Sequence, residues 1–259
     1  MTTVRLDRAL VERGLARSRS QAQELIRSGR VVLEGRDDLR PSDPVRDGDR
    51  LEARTDPYVS RAAHKLLGAL DDLGLDDLTG TRLALDAGSS TGGFTQVLLE
   101  RGVSEVHAVD VGTDQLVPLL RDDPRVHVHE RTNLRDLTPD VLGGRLVDLV
   151  VADVSFISLT LLLERFAAVS RDDGRWLLMV KPQFEVGREA LGKDGVVRDP
   201  ALHRRAVEGV ADAAAALGWR VRAVVASRLP GPAGNREFFV DLGRAPGVVP
   251  GRAWESSLC

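Results

Sequence analysis

The chain has 259 residues, of which 42% are hydrophobic, and this is enough for a folded core in one large domain or in two of unequal size. The formal net charge of -3 gives no overall signal for a nucleic-acid partner, so any basic surface must be local. The only cysteine is Cys259, and neither an apolar leader nor a run of about 18 apolar residues occurs, which excludes an internal disulfide and a cysteine-ligated zinc site and predicts a cytoplasmic protein.

The first 52 residues are predicted to form a small α+β domain. One helix is expected over residues 5–14 and a second over residues 21–28, where Ser20 is a suitable N-cap. Residues 31–35 and 49–53 have the pattern of short strands, and the segment between them is rich in turn-forming residues.

Charge is unevenly distributed along this domain. Residues 1–36 contain eight arginines and four acidic residues, whereas residues 37–56 contain four arginines and seven acidic residues. A local basic face favours contacts with phosphates, although a solvated helical face would give the same charge pattern.

The two helices resemble the S4 RNA-binding domain. The matching positions follow one another in order and include Arg5, Leu6, Asp7, Gly14, Leu15, Ser18, Arg19, Ala22, Leu25, Ile26, Gly29 and Val31. The resemblance implies that basic side chains of the helix pair bind RNA phosphates and a folded RNA shape. The expected RNA-binding residues are Arg5, Arg8, Arg17, Arg19, Arg27 and Arg30.

Beyond a linker at residues 53–60, strand and helix patterns alternate up to about residue 245, and residues 246–259 form a tail. Strand patterns cover residues 83–87, 105–110, 125–130, 147–153, 175–181, 221–227 and 237–242, and helical patterns cover residues 59–73, 93–101, 158–169 and 201–217. Continuous apolar strands separated by helices predict an α/β domain with a mainly parallel, seven-stranded sheet. Such sheets bind ligands at the carboxyl ends of their strands.

The first strand of this α/β domain runs into a glycine-rich turn with the sequence LDAGSSTGGF, residues 85–94. Asp86 is expected to end the strand, and Gly88, Gly92 and Gly93 allow a sharp turn and the close approach of a ligand. The turn lacks the GxGxxG pattern and the lysine of a P-loop, which weakens a dinucleotide or ATP interpretation. On spacing alone, a plain tight turn between strand and helix stays possible.

Two further strand ends carry side chains that suit a nucleoside. Asp110 ends the next strand, where a carboxylate can accept hydrogen bonds from both ribose hydroxyls, although it could equally cap a helix or face solvent. Asn133 follows the third strand, where an amide could bind an adenine edge.

Lysine usage points to a third group of residues. Only three of the 36 basic residues are lysines, and a lysine, unlike an arginine, can lose its proton. Asp153 and Lys181 each end a predicted strand, Glu237 begins the last strand, and Lys65 lies on the first predicted helix of the α/β domain. The third lysine, Lys193, lies in a glycine-containing loop, where it could cover the site, contact RNA or face solvent.

These four positions resemble the Lys-Asp-Lys-Glu tetrad of ribose 2′-O-methyltransferases of the FtsJ type, and the whole chain resembles the TlyA family. The resemblance is carried by the segments YVSRAAHKL, LDAGSSTGGFTQVLLERG, ADVSFISL, VKPQFEVGR and GNREFF. It implies a Rossmann-like domain over residues 61–245 that uses S-adenosylmethionine to methylate ribose 2′-hydroxyls of cytidine in ribosomal RNA. By position, the expected catalytic residues are Lys65, Asp153, Lys181 and Glu237, and the expected cofactor-binding residues are Asp86, Gly88, Ser90, Gly92, Gly93, Asp110, Asn133 and Asp153.

The chemistry of the reaction agrees with this set of residues. A 2′-hydroxyl is a very weak acid and must lose its proton as it attacks a sulfonium methyl group. Of two lysines held close together, one can be neutral near pH 7, because each ammonium disfavours the charge of the other. We expect Lys181 to take or steer the proton and Lys65 to tune it and hold the ribose, with no metal required.

Aromatic side chains and histidines carry weaker signals. Phe156, Phe184 and Tyr58 could stack on a flipped base, although packing is the expected role of the two phenylalanines. The five histidines show no metal-ligand spacing beyond His127 and His129, which alternate along one strand.

Three other functions are open from the sequence. The chain could methylate a different substrate, with the S4 domain as an adaptor, or it could be a non-catalytic RNA-binding factor in ribosome assembly. The resembling family also carries the label haemolysin, but a membrane-active protein would need a spanning segment or a strongly amphipathic membrane helix, and neither is found in the sequence.

Overall fold

Residues 3–16, 18–54, 56–187, 189, 191–192 and 194–244 are described by a computed structural model of the protein. The chain divides into two units, Met1–Pro57 and Tyr58–Cys259, and the predicted domain limits at residues 52 and 61 lie on either side of this division. Arg17, Lys193 and the predicted tail at residues 246–259 lie outside the described residues.

The N-terminal unit consists of two helices and four short strands. The helices are α1 (Leu6–Glu12) and α2 (Arg19–Arg27), and the strands are β1 (Thr3–Arg5), β2 (Val31–Leu33), β3 (Pro44–Arg46) and β4 (Leu51–Ala53). β1 pairs with β3 and β2 pairs with β4, in both cases antiparallel. The apolar sides of both helices pack with these strands around Leu6, Leu10, Leu25, Ile26 and Val31.

Two local features of this unit differ from the sequence prediction. The N-cap of α2 is Ser18 rather than Ser20, because Ser18 has extended backbone angles and its hydroxyl accepts a hydrogen bond from the Gln21 amide. Pro44, which was expected in a turn, begins β3. Proline is tolerated there because it is the first residue of a strand that pairs only with β1.

The C-terminal unit alternates strands and helices as predicted. The helices are α3 (Arg61–Asp72), α4 (Gly93–Glu100), α5 (Pro118–Arg121), α6 (Leu163–Val169), α7 (Pro182–Glu185) and α8 (Pro200–Ala216), with short 3-10 turns at Leu134–Asp136, Pro139–Leu142 and Leu159–Leu161. The strands are β5 (Leu83–Ala87), β6 (Glu105–Val109), β7 (Val126–His129), β8 (Val147–Ala152), β9 (Ser170–Val180), β10 (Arg220–Ala226) and β11 (Phe238–Gly243). No helix within the described ranges is both long and apolar enough to cross a membrane.

The seven strands form one sheet in the order β10-β11-β9-β8-β5-β6-β7, which confirms the predicted fold class. β5 pairs in parallel with β6 on one side and with β8 on the other, so the chain reverses its direction of winding at β5. Ligands of open α/β sheets bind at this switch point, outside the carboxyl ends of the strands. β11 runs antiparallel to both of its neighbours, and its amino end therefore lies at the same edge.

Apolar layers cover both faces of the sheet. On one face, α3 and α4 contribute Leu66, Leu70 and Phe94. On the other, α6 and α8 pack against Trp176 and Trp219, whose rings stack with centroids 3.7 Å apart. Burial on both faces explains why the strands read as continuous apolar runs in the sequence.

Candidate active site

The carboxyl edge of the sheet carries a buried ion pair between the ends of two neighbouring strands. Asp153 directly follows β8 and Lys181 directly follows β9, where Pro182 begins α7. Lys181 Nζ lies 2.6 Å from Asp153 Oδ1, and only 9% and 16% of the two side chains are exposed. The ammonium also donates a hydrogen bond to Ser155 Oγ at 2.8 Å.

A second buried pair lies at the same edge. Lys65 on α3 donates a hydrogen bond of 2.6 Å to Glu237, which immediately precedes the reversed strand β11. Glu237 is almost fully buried, and Lys65 is buried too. The Cβ of a side chain at Gly231 would lie 2.6 Å from Glu237 Oε1, so this glycine allows the carboxylate to lie against the backbone.

The two lysines and Asp153 line one cavity of about 330 Å³. Its other walls come from the glycine-rich turn, the start of α3 and the loop before β11, and they consist of Ser60, Arg61, Ala62, Gly88, Ser89, Ser90, Thr91, Gly93, Phe94, Ser155, Pro230 and Pro232. The structure therefore gathers predicted catalytic residues that are far apart in the sequence.

A larger cavity of about 560 Å³ lies on the other side of the glycine-rich turn. It contains the predicted nucleoside-binding residues Asp110 and Asn133 together with apolar side chains that include Val111, Ile157 and Leu162. The two cavities share Gly88, Ser90, Asp153 and Ser155 in their walls, so they meet where β5 and β8 end.

The glycine-rich turn is held close to its neighbours at two positions. Gly88 has φ +86°, and a Cβ there would lie 2.7 Å from the Asp153 carbonyl oxygen. A Cβ at Gly93 would lie 2.2 Å from Ser60 Oγ. Larger residues would push the turn away from both Asp153 and the start of α3. Gly92 also has a positive φ, but it faces Leu116 and Leu120 and lines neither cavity.

The Asp110 carboxylate is fixed by one amide of the glycine-rich turn and by another that follows it in the sequence. It accepts a hydrogen bond from the Ser90 amide at 2.9 Å and another from the Gly112 amide at 2.7 Å. Each carboxylate oxygen has a second lone pair, so both can still accept a ribose hydroxyl. Asn133 is likewise oriented, because its side-chain oxygen accepts a hydrogen bond from the Arg135 amide at 3.0 Å.

The expected position of Asp86 is wrong. The strand β5 extends through Ala87, so the Asp86 side chain enters the packed face of the sheet, is completely buried and lines neither cavity. Thr95 donates a hydrogen bond of 2.6 Å to its Oδ2, whereas Oδ1 has no hydrogen-bond partner among the described residues. Burial, and to a lesser degree the charge of Asp153, raises the pKa of Asp86 to about 7.

Several residues at the site were not predicted from the sequence. Ser155, Arg61 and Ser60 line the cavity of the two lysines, and the only available signal was their position beside predicted catalytic residues. The expected packing role of Phe156 is wrong, because 92% of the residue is exposed. Phe156 has φ +66°, lines the larger cavity and lies 5.4 Å from the Phe184 ring.

The predicted RNA-binding arginines of the N-terminal unit differ in their surroundings. Arg5 and Arg19 both donate hydrogen bonds to Asp7, at 3.1 and 3.0 Å, while more than half of each arginine side chain is exposed. Hydrogen bonds from Arg5, Arg19 and Gln23 keep the pKa of this buried carboxyl well below its ordinary range. Arg8 instead pairs with Glu12 at 2.7 Å on the exposed side of α1. Two guanidinium groups thus share one carboxylate.

Three histidines cluster on the sheet. The sequence pattern indicates only His127 and His129, and the structure adds His107. Parallel pairing places His107 on β6 directly opposite His127 on β7, and His107 Nδ1 lies 2.8 Å from His129 Nε2. Burial and the neighbouring histidines lower the pKa of His107 to about 4. Within the described ranges, no group of three or more histidine, cysteine and acidic side chains has the geometry of a metal site.

The seven-stranded sheet and the cavities at its switch point define a Rossmann-like domain, which is preceded by a small α+β domain. The chain belongs to the FtsJ-like methyltransferase family, whose model matches residues 58–244, and the S4 domain model matches residues 4–51.

Similar proteins cover nearly the whole chain. It is 52% identical to the 16S/23S rRNA (cytidine-2′-O)-methyltransferase TlyA of Mycobacterium tuberculosis, over 92% of this chain and 89% of the relative. It is 40% identical to YqxC of Bacillus subtilis, a candidate rRNA methyltransferase, over 92% of this chain and 85% of the relative. A solved structure of a candidate hemolysin from Streptococcus thermophilus has a TM-score of 0.76 and 36% identity, and the match covers 100% of this chain and 95% of that one.

The pKa of Asp86 gives a testable dependence of stability on pH. Unfolded aspartate ionises near pH 4, whereas folded Asp86 keeps its proton to about pH 7. The folded state thus binds the extra proton, so the free energy of unfolding falls as pH rises through this window and levels off above it. Between pH 4.5 and 8.5, we expect the free energy of unfolding of the wild type to fall by on the order of a few kcal/mol relative to that of Asp86→Asn. Chemical denaturation measures both. A difference between the two proteins that does not change with pH would show that Asp86 is ionised throughout.

Proposed function

We propose that this methyltransferase transfers a methyl group from S-adenosylmethionine to ribose 2′-hydroxyls of cytidine in ribosomal RNA. The observation that carries the proposal is the pair of connected cavities. One contains two buried lysines with carboxylate partners, and the other contains a carboxylate and an amide suited to a nucleoside. The name of the M. tuberculosis relative supports cytidine in ribosomal RNA as the substrate.

The residues of the larger cavity fit S-adenosylmethionine. Its volume of about 560 Å³ lies in the usual range for a cofactor site. Asp110 would accept hydrogen bonds from the ribose hydroxyls, Asn133 would bind the adenine edge, and the backbone of Gly88 and Ser90 would lie beside the methionine part. When bound, the cofactor supplies an electrophilic methyl group, which leaves its sulfur as the bond to the ribose oxygen forms.

Lys181 takes the proton of the 2′-hydroxyl. Its Nζ lines the smaller cavity and contacts Asp153 and Ser155, which belong to the wall that both cavities share. A general base must be within hydrogen-bond reach of the proton that it removes. The neutral amine accepts the proton as the ribose oxygen attacks, and the resulting ammonium is stabilised by Asp153. Release of this proton to water completes the cycle.

Lys65 holds the target ribose in place. Its ammonium lines the same cavity, and Glu237 fixes its direction through a 2.6 Å hydrogen bond. Alignment of the ribose oxygen with the methyl group supplies much of the remaining rate enhancement.

RNA is bound through phosphates and an exposed aromatic ring. Arg5 and Arg19 present fixed guanidinium groups, and Phe156 offers an exposed face on which a base extruded from its helix could stack. Arg61 lies at the entrance of the lysine cavity, where it suits a phosphate of the target nucleotide.

The function is tested by transfer of labelled methyl groups to purified small and large ribosomal subunits. Lys181→Arg keeps the charge but cannot act as a base, so we expect a loss of kcat of at least about 100-fold with little change in RNA affinity. Lys193→Arg, the same change at the third lysine, is the matched control. Mass spectrometry of the labelled RNA locates the methyl group and identifies the subunit.

Each alternative function gives a different result in this experiment. No transfer by the wild type despite tight binding of S-adenosylmethionine would indicate another methyl acceptor, and no binding of the cofactor would indicate a non-catalytic RNA-binding factor. Near-normal turnover by Lys181→Arg would remove the proton role from this lysine. Leakage of lipid vesicles by the pure protein would support membrane activity.

The arginines of the N-terminal unit make a separate prediction about RNA binding. Arg19→Ala should weaken binding to ribosomal RNA. It should also make the slope of log K against log salt concentration shallower, by about the amount that one phosphate contact contributes. Arg8→Ala is the comparison, and we expect a smaller effect because Glu12 already offsets this charge. Filter binding at several salt concentrations measures both. If the two substitutions weaken RNA binding equally, the contacts with Asp7 do not make Arg19 more important for RNA binding than Arg8.

A further inference from the structure

We propose that Ser155 is a positioning residue that directs the lone pair of Lys181 towards the ribose hydroxyl. This inference rests on the proposed function, because it assigns a role within the same reaction. Ser155 lies two residues after Asp153, at the point where the two cavities meet. Its hydroxyl is the only acceptor that gives Lys181 a hydrogen bond of normal geometry among the described residues.

The two partners of Lys181 differ in what they fix. Asp153 Oδ1 is 2.6 Å from the ammonium, close enough to stabilise its charge, but the angle at this contact is not that of an aligned hydrogen bond. Ser155 Oγ accepts a hydrogen bond from Lys181 at 2.8 Å and therefore does set a direction. Nine-tenths of the Lys181 side chain is buried, which limits competition from water.

Directing the amine matters more for a base than for a cation. A neutral lysine has two N–H bonds and one lone pair, and only the lone pair can take a proton. With one N–H donated to Ser155 and the other drawn to Asp153, the lone pair is left for the cavity that Lys65 also lines. Without Ser155 the amine can rotate about its terminal bond, and fewer encounters with the substrate are productive.

The loop that carries Ser155 is anchored on both sides. Before it, the Asp153 amide donates a hydrogen bond to the Ala87 carbonyl at 3.0 Å. After it, the Leu159 amide and the Ser158 hydroxyl donate hydrogen bonds to Glu185, which belongs to the helix that follows Lys181. The loop and the lysine are thus attached to one another through α7.

The first test compares the kinetics of three variants of the full chain. Ser155→Ala should lower kcat by about 10- to 100-fold while the KM values for S-adenosylmethionine and RNA change by less than about twofold. Ser155→Thr keeps the hydroxyl and should restore most of the rate. Ser104→Ala, at an exposed serine before β6, is the matched control.

A second test observes the lysine directly and does not depend on turnover. The chain has only three lysines, so labelling with ¹⁵N-lysine gives at most three ammonium signals in an NMR spectrum, and lysine-to-arginine variants assign them. We expect a protected Lys181 signal in the wild type and in Ser155→Thr. The signal should broaden or vanish in Ser155→Ala, whereas that of Lys65 should not change.

The two tests separate failure of this inference from failure of the proposed function. Wild-type kcat in Ser155→Ala, or an unchanged Lys181 signal, would overturn the positioning role even where the wild type methylates RNA. Higher KM values with normal kcat would also overturn it, since they would assign Ser155 to substrate binding. Absence of methyl transfer by the wild type would overturn the proposed function, and the positioning role would fall with it.

Discussion

Two buried ion pairs determine how the carboxyl edge of the sheet is built. Lys181 with Asp153 joins the ends of neighbouring strands, and Lys65 with Glu237 joins α3 to the reversed strand β11. Removal of one member of a buried pair leaves a charge without a partner and costs about 3–5 kcal/mol. Each carboxylate is therefore needed for the stability of the edge, and each pair holds a lysine at the wall of the same cavity.

Sheet topology explains why residues so far apart in the sequence meet at this edge. β5 is the switch point, so the glycine-rich turn after it and Asp153 after β8 lie side by side. β11 is antiparallel to its neighbours, and for this reason the residue before it, Glu237, reaches the edge at which Asp153 and Lys181 follow the ends of their strands. A fully parallel sheet would place the start of β11 at the opposite edge.

Much of the fold could be predicted because strands buried on both faces are written as continuous apolar runs. The features that could not be predicted depend on the exact position of one residue in its strand, on the register between strands or on the shape of a loop. Asp86 lies one residue before the end of β5, and its side chain is buried in the packed face of the sheet. His107 meets His127 through strand register, and the contact of Ser155 with Lys181 depends on the shape of a loop. None of these features has a periodicity that a sequence could reveal.

The central claim is that a lysine in this cavity accepts the ribose proton in the chemical step. The most direct test is the rate of methyl transfer in a single turnover, measured from pH 6 to 9 with the complex of enzyme, S-adenosylmethionine and RNA already formed. The account predicts that this rate rises with pH, since a lysine can accept a proton only as the neutral amine. A rate that does not change with pH in the wild type would contradict it.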